Sequence, residues 1–168
     1  MIELRGNVDT RIAKLRRGDY DAIVLAKAGL DRLGLSENIT EVLPQEVSLP
    51  AAGQGAIGIE ARASDGDTLR VLAKLEDAET RAAVNAERAA LAGLGGGCQV
   101  PIGAWGRIDG GKLLLDVAVL APDGSQRLSE KGSGAPAEAE AIGRRVAQKL
   151  RESGAAALLE RESRGTRA

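Results

Sequence analysis

Cys98 is the only cysteine in the 168-residue chain, and it follows three glycines in Leu94-Gly95-Gly96-Gly97-Cys98-Gln99-Val100-Pro101-Ile102-Gly103. The glycines strip side chains from the approach to the sulfur and permit positive φ and close backbone contact. A thiolate is the strongest nucleophile among ordinary side chains, and it can hold a covalently attached group. The same position also reads as a small core hydrophobe beside a glycine turn, because free cysteines are commonly buried and inert. The residues alone leave both readings open.

The rest of the composition removes several chemistries. Histidine is absent, which excludes Ser-His and Cys-His dyads, histidine metal sites and an imidazole base. One cysteine excludes an internal disulfide framework and a multi-cysteine zinc site, so no metal is expected. Trp105 and Tyr20 are the only aromatics, too few for a base-stacking platform, and a net charge of −1 argues further against nucleic acid. No apolar run approaches a membrane span, and Glu3 and Arg5 interrupt the start before any signal-like stretch. The expectation is a cytoplasmic chain with no membrane partner.

The 23 basic residues comprise 17 arginines and 6 lysines. Arginine's planar fork pairs with carboxylate or phosphate at two points. The alanine- and glycine-rich composition suggests GC-rich coding as the larger cause of that bias. Position must therefore identify the useful arginines.

Elements that could position these groups follow from periodicity. Met1–Leu4 reads as a short strand leading into Arg5-Gly6-Asn7-Val8-Asp9-Thr10-Arg11, with a helix over about 8–17 ended by Gly18. The run 22–26 is continuously apolar, as in a strand buried on both faces, and 27–33 looks helical. Further strands are expected near 39–43 and 56–63, with a helix over about 68–76 capped by Asp67. This first half is too short to close a doubly wound sheet, and neighbours for its buried strand are missing. The second half looks self-sufficient. Asp77 can cap a helix over 78–93, and strands near 100–108, 112–120 and 125–131 are joined by Asp109-Gly110-Gly111 and Pro122-Asp123-Gly124. Helices near 136–152 and 155–162 would cover the resulting antiparallel sheet.

Several segments together resemble the hydroxymethylbilane synthases, also called porphobilinogen deaminases. They are Arg5–Arg11, Tyr20–Leu35, Leu49-Pro50-Ala51-Ala52-Gly53-Gln54-Gly55-Ala56-Ile57-Gly58-Ile59-Glu60, Ala86-Glu87-Arg88-Ala89, Gly96–Gly103 and Pro122-Asp123-Gly124. The resemblance covers the carboxy-terminal half or so of a three-domain enzyme. It implies a mixed α/β and α+β fold, with partial doubly wound α/β lobes like those of two-lobed solute-binding proteins and a small domain of a three-stranded antiparallel sheet under helices. Residues 1–49 correspond to the latter part of domain two, 50–76 to a crossover and return into domain one, and 77–168 to domain three.

The implied chemistry joins four porphobilinogens head to tail with loss of ammonia to give hydroxymethylbilane, a precursor of porphyrins including heme. The chain grows on a dipyrromethane cofactor fixed to a cysteine through a thioether, and Cys98 matches that cysteine. Arg5, Arg11 and Arg32 match arginines that bind the acetate and propionate groups of the growing polypyrrole. Ala26 would offer backbone contacts at a strand end, and Gln54 matches a polar crossover residue near the cofactor. Arg16 and Arg17 read better as solvated surface groups. The family's proton-handling aspartate lies upstream, so no catalytic residue is expected here, and the chain alone should be inactive without an amino-terminal half. The alternatives are a non-catalytic module that binds an anionic ligand and a truncated remnant.

Overall fold

The computed structural model describes residues 2–95, 101–121 and 123–159. They form a mixed helical fold with one three-stranded antiparallel sheet, and the chain divides into two compact units, Met1–Pro44 and Gln45–Ala168.

The first unit contains α1 (Val8–Arg16) and α2 (Lys27–Arg32). Asn7 starts α1, its Oδ1 accepting from the Thr10 amide at 3.0 Å and from the Thr10 hydroxyl at 2.6 Å. Ile12 and Leu30 are the apolar side chains buried in this unit. The strands expected at 1–4, 22–26, 39–43 and 56–63 are absent: no described residue before Ile102 belongs to a strand. Strands exist only by pairing, and these segments have no neighbour within the described chain to take up their backbone N–H and C=O groups. Val24, in the run expected to be buried on both faces, is 73% exposed, and Ile57, in the segment expected to form a further strand, is 91% exposed.

The second unit begins with an irregular stretch and α3 (Gly66–Leu72). Asp65, not Asp67, caps α3, accepting from the Thr68 amide at 3.1 Å. The helix therefore begins earlier than expected and places Asp67 inside its first turn. Then comes α4 (Ala78–Gly93), capped as expected by Asp77, whose Oδ1 accepts from the Thr80 amide at 2.7 Å. The Thr80 amide and hydroxyl hold the Asp77 carboxyl below its ordinary range. A folded-state pKa lowered in this way contributes stability above the unfolded value and loses it as pH falls through the folded value. Asp77→Ala should therefore melt earlier than the parent near neutral pH, with the two curves converging in acid, as thermal unfolding followed across pH will show.

Strands β1 (Ile102–Asp109), β2 (Lys112–Leu120) and β3 (Arg127–Gly134) form a meander in that order. Gly110 and Gly111, at φ +55° and +75°, make the two-residue turn between Asp109 and Lys112; both positions need left-handed backbone. β3 starts later than expected because the Ala121 amide donates to the Gln126 carbonyl, leaving 123–126 in the turn. Leu113, Leu115, Val117 and Val119 alternate onto one face and are fully buried there.

That face is covered by α4 and by α5 (Ala139–Glu152). Ala82, Ala83, Ala86 and Ala90 of α4 meet Ile142, Gly143, Val146 and Ala147 of α5 in the core. Small residues let the helices approach closely: a Cβ on Gly143 would strike the Ala86 carbonyl oxygen and come within 2.9 Å of the Ala90 nitrogen. A further helical turn lies at 155–159. The opposite face of the sheet carries an ionic cluster. Asp116 pairs with Arg107 at 2.6 Å and Lys131 at 2.9 Å, and Arg107 sits 4.0 Å above the Trp105 ring.

Candidate functional site

In the first unit the turn Arg5–Gly6–Asn7 delivers the chain into α1. Gly6 has φ +123°, and a side chain there would press on Thr10, so glycine is required by both backbone and space. The Arg11 Nε donates to the Gly6 carbonyl at 2.7 Å, and the Lys14 ammonium donates to the Arg5 carbonyl at 3.1 Å. Arg5 itself pairs with Glu3 at 2.8 Å, both side chains being largely exposed. The Arg11 guanidinium and, from the last turn of α1, the Lys14 ammonium thus reach back to the turn that precedes the helix. Among the described residues no hydrogen bond or ion pair engages the Arg11 Nη groups.

Arg32 lies in the last turn of α2, exposed and without an ion pair among the described residues. Ala26 is the residue before α2, in extended conformation, its carbonyl accepting from the Gly29 amide at 3.0 Å. Its own amide and the first helical amides point out of the helix start, as every helix leaves them. Arg16 donates to Asn38 Oδ1 at 2.8 Å and Arg17 to Asp19 at 2.8 Å, so both are held by local surface partners.

In the second unit, residues 45–55 are tied to the sheet. The Ala104 amide donates to the Pro50 carbonyl at 2.8 Å, and Leu49 lies so close over Gly103 that a Cβ there would sit 2.7 Å from its own. Gln54 rides on the turn that follows, exposed between Gly53 at φ +76° and Gly55 at φ +87°, its amide donating to the Ala51 carbonyl at 2.9 Å. Cys98, with residues 96–100, lies outside the described residues. The flanking elements are described: α4 ends at Gly93 and β1 begins at Ile102.

Glu87 joins these pieces. It is the one buried charged residue among those described, 6% exposed on the alanine face of α4. Its Oε2 accepts from the Gly53 amide at 2.6 Å and its Oε1 from the Gly106 amide at 2.6 Å. Burial pushes its carboxyl above the ordinary range, and the two amides only partly pull it back. Gly106 must be glycine, since a Cβ there would lie 2.8 Å from the Ala83 carbonyl oxygen of α4. The sequence offered one signal for Glu87, an acid within the stripe Ala82-Ala83-Ala86-Ala90, but its partners are 34 and 19 residues away.

Among the described residues no group of three or more His, Cys, Asp or Glu could hold a metal ion, and no helix is long and apolar enough to cross a membrane. The chemistry on offer is carboxylate binding by guanidinium and ammonium groups. Those donors fit a polycarboxylate such as a dipyrromethane.

A family model described as porphobilinogen deaminase, dipyromethane cofactor binding domain, matches residues 1–70. A second, porphobilinogen deaminase, C-terminal domain, matches residues 81–152, a span that includes Cys98. The chain is 52% identical over 159 residues to a porphobilinogen deaminase of Roseiflexus castenholzii, covering 95% of this chain and 52% of that protein. It is 48% identical over 161 residues to one from Pelotomaculum thermopropionicum, covering 96% and 52% respectively. The chain spans about half the length of these curated relatives.

Proposed function

Because the chain belongs to the porphobilinogen deaminase family, we propose that it supplies the carboxy-terminal part of a hydroxymethylbilane synthase. That transferase condenses four porphobilinogens head to tail with loss of ammonia, in the cytoplasm, on the way to porphyrins. In this reading Cys98 carries the dipyrromethane as a thioether. When bound, the cofactor supplies the pyrrole end on which the tetrapyrrole is built.

The observation that carries the reading is the turn at Arg5–Arg11. Arg11 is braced by the Gly6 carbonyl through Nε, so its Nη fork is held ready for a carboxylate at little further entropic cost. Arg5 and Lys14 add positive charge at the same helix start, and Arg32 adds a further unpaired guanidinium. These groups bind the acetate and propionate arms; Ala26 and Gln54 contribute amide and side-chain contacts. None of them is placed to abstract or deliver a proton in turnover, and we assign that task to an aspartate of the amino-terminal half. Residues 1–49 then complete domain two and 50–76 return into domain one, as parts of doubly wound lobes of the two-lobed solute-binding kind. Residues 77–168 form domain three.

A module that only binds a polycarboxylate is supported by the same open guanidinium forks. Complementation separates the two. The purified chain alone should consume no porphobilinogen above a Cys98→Ala control. Mixed or co-expressed with the amino-terminal half of the Roseiflexus relative, it should release hydroxymethylbilane. Turnover by the chain alone would refute the division of labour, and an inactive pair that still binds polypyrrole would favour the binding module.

A further inference from the structure

The outer face of the sheet, opposite α4 and α5, is crossed by a segment of the chain itself. Because Val117 and Val119 point into the helix-side core, Ala118 between them points outward, yet it is only 1% exposed. Its β1 partner Gly103 points the same way, and Leu49 covers that spot, its Cβ 2.7 Å from where a Gly103 Cβ would stand. Pro50 beside it is fixed by the Ala104 amide. On the far side of the sheet, Arg127 at the start of β3 donates from Nη2 to the Glu46 carbonyl at 3.0 Å. Residues 45–49 therefore run from β3 to β1 over the strand between them.

The two ends of this strap are not held alike. Leu49 and Pro50 are half-buried and held by packing and a backbone hydrogen bond. Residues 45–48 are exposed, and among the described residues the Arg127 bond is their one hydrogen bond to the sheet. A cavity of about 210 Å³ opens between strap and sheet, with Gln45, Glu46 and Leu49 on one side and Trp105, Asp116 and Ser129 on the other. The free end is thus not packed down; one side chain holds it. The boundary between the two compact units falls at Pro44 and Gln45, directly before this end. Residues 41–44 are exposed and belong to no helix or strand.

We propose that Arg127 latches residues 45–48 to the sheet and thereby sets the length of free chain that joins the two units. Latched, the connection ends at Gln45; released, it runs on to Leu49. Release adds residues 45–48, up to roughly 13 Å of extended chain. Residues 45–49, read above as the end of domain two, travel with the sheet while the latch is closed. One exposed hydrogen bond from a charged donor favours the closed form by about tenfold, so the open form is a minor state. The inference concerns the connection alone and does not rest on the reading of Cys98.

Cleavage of the full chain by a glutamate-specific protease reads the two states, because Glu41 lies in the free connection and Glu46 on the strap. In the parent the chain should be cut after Glu41 while Glu46 resists. Arg127→Gln should raise the rate after Glu46 by about tenfold and leave Trp105, which lines the cavity, more open to quenching by acrylamide. Arg127→Lys keeps a charged donor on a different head group and should fall between the two. Lys131→Gln removes a cation on the same face that pairs with Asp116 and has no bond to the strap, so it should behave like the parent. Amide exchange across Leu113–Val119 checks that each variant keeps its sheet. Should Arg127→Gln lose it, the parent alone still decides: equal cutting after Glu41 and Glu46, or cutting at neither, would overturn the proposal. So would a folded Arg127→Gln variant with parental cleavage, or a Lys131→Gln variant cut after Glu46 as fast as Arg127→Gln.

Discussion

Cys98→Ser, paired with an amino-terminal half, should emerge from purification without a dipyrromethane, and the pair should have no activity above background. The expected effect is all-or-none. A serine hydroxyl stays protonated near neutral pH and lacks the sulfur nucleophile that makes a lone cysteine useful. The chain contains no second cysteine to take over, so a loaded parent and an unloaded variant should differ by one adduct in intact-protein mass spectrometry. An adduct that persists in Cys98→Ser would move the attachment point elsewhere. Identical, unmodified masses for both proteins in an active pair would return Cys98 to the role of an inert small hydrophobe.

The largest expected loss of stability comes from a single methyl group at Gly143. Glycine inside a helix normally weakens it, so alanine should bring a gain of roughly 0.5–1 kcal/mol. At Gly143 the new Cβ would meet the backbone of α4 at Ala86 and Ala90, atoms that cannot rotate away. Overpacking of this kind costs about 1–3 kcal/mol, and a rigid backbone obstacle puts it at the upper end. The clash wins, and Gly143→Ala should lower the melting temperature of the second unit by roughly 10 °C. Gly29 in α2 supplies the control, because a Cβ there meets nothing within 4 Å. The same substitution at Gly29 should be neutral or stabilising, and a destabilised Gly29→Ala with an unaffected Gly143→Ala would contradict the packing described for the α4–α5 seam.

The features legible in the sequence were those decided locally. The Asp77 cap, the Gly110-Gly111 hairpin and the strand at 112–120 each depend on residues a few positions apart, and all three appear where they were expected. The strand at 22–26 did not appear, because an apolar run says that a segment suits a buried strand but cannot supply the neighbour it pairs with. Asp65 and Asp67 are both competent caps by type; the one that reaches Thr68 starts the helix. At the candidate site, the resemblance singled out Arg11, but its bracing by the Gly6 carbonyl was not legible. Glu87 illustrates the limit more sharply. Its significance lies wholly in two backbone amides far away in sequence, and glycine amides leave no mark in a residue pattern.

The two aromatic residues fall one to each compact unit, Tyr20 in the first and Trp105 in the second. Tyr20 donates its hydroxyl to the Glu3 carbonyl at 3.1 Å, while Trp105 lies under the Arg107 guanidinium. The chain is therefore its own two-colour reporter. Indole emission follows the sheet domain and is blind to the arginine-bearing unit, and a titration monitored by tryptophan alone would look cooperative even where the first unit had already melted. Phenol absorbance supplies the missing channel, so the independence or coupling of the two units can be read without attaching a label to the molecule.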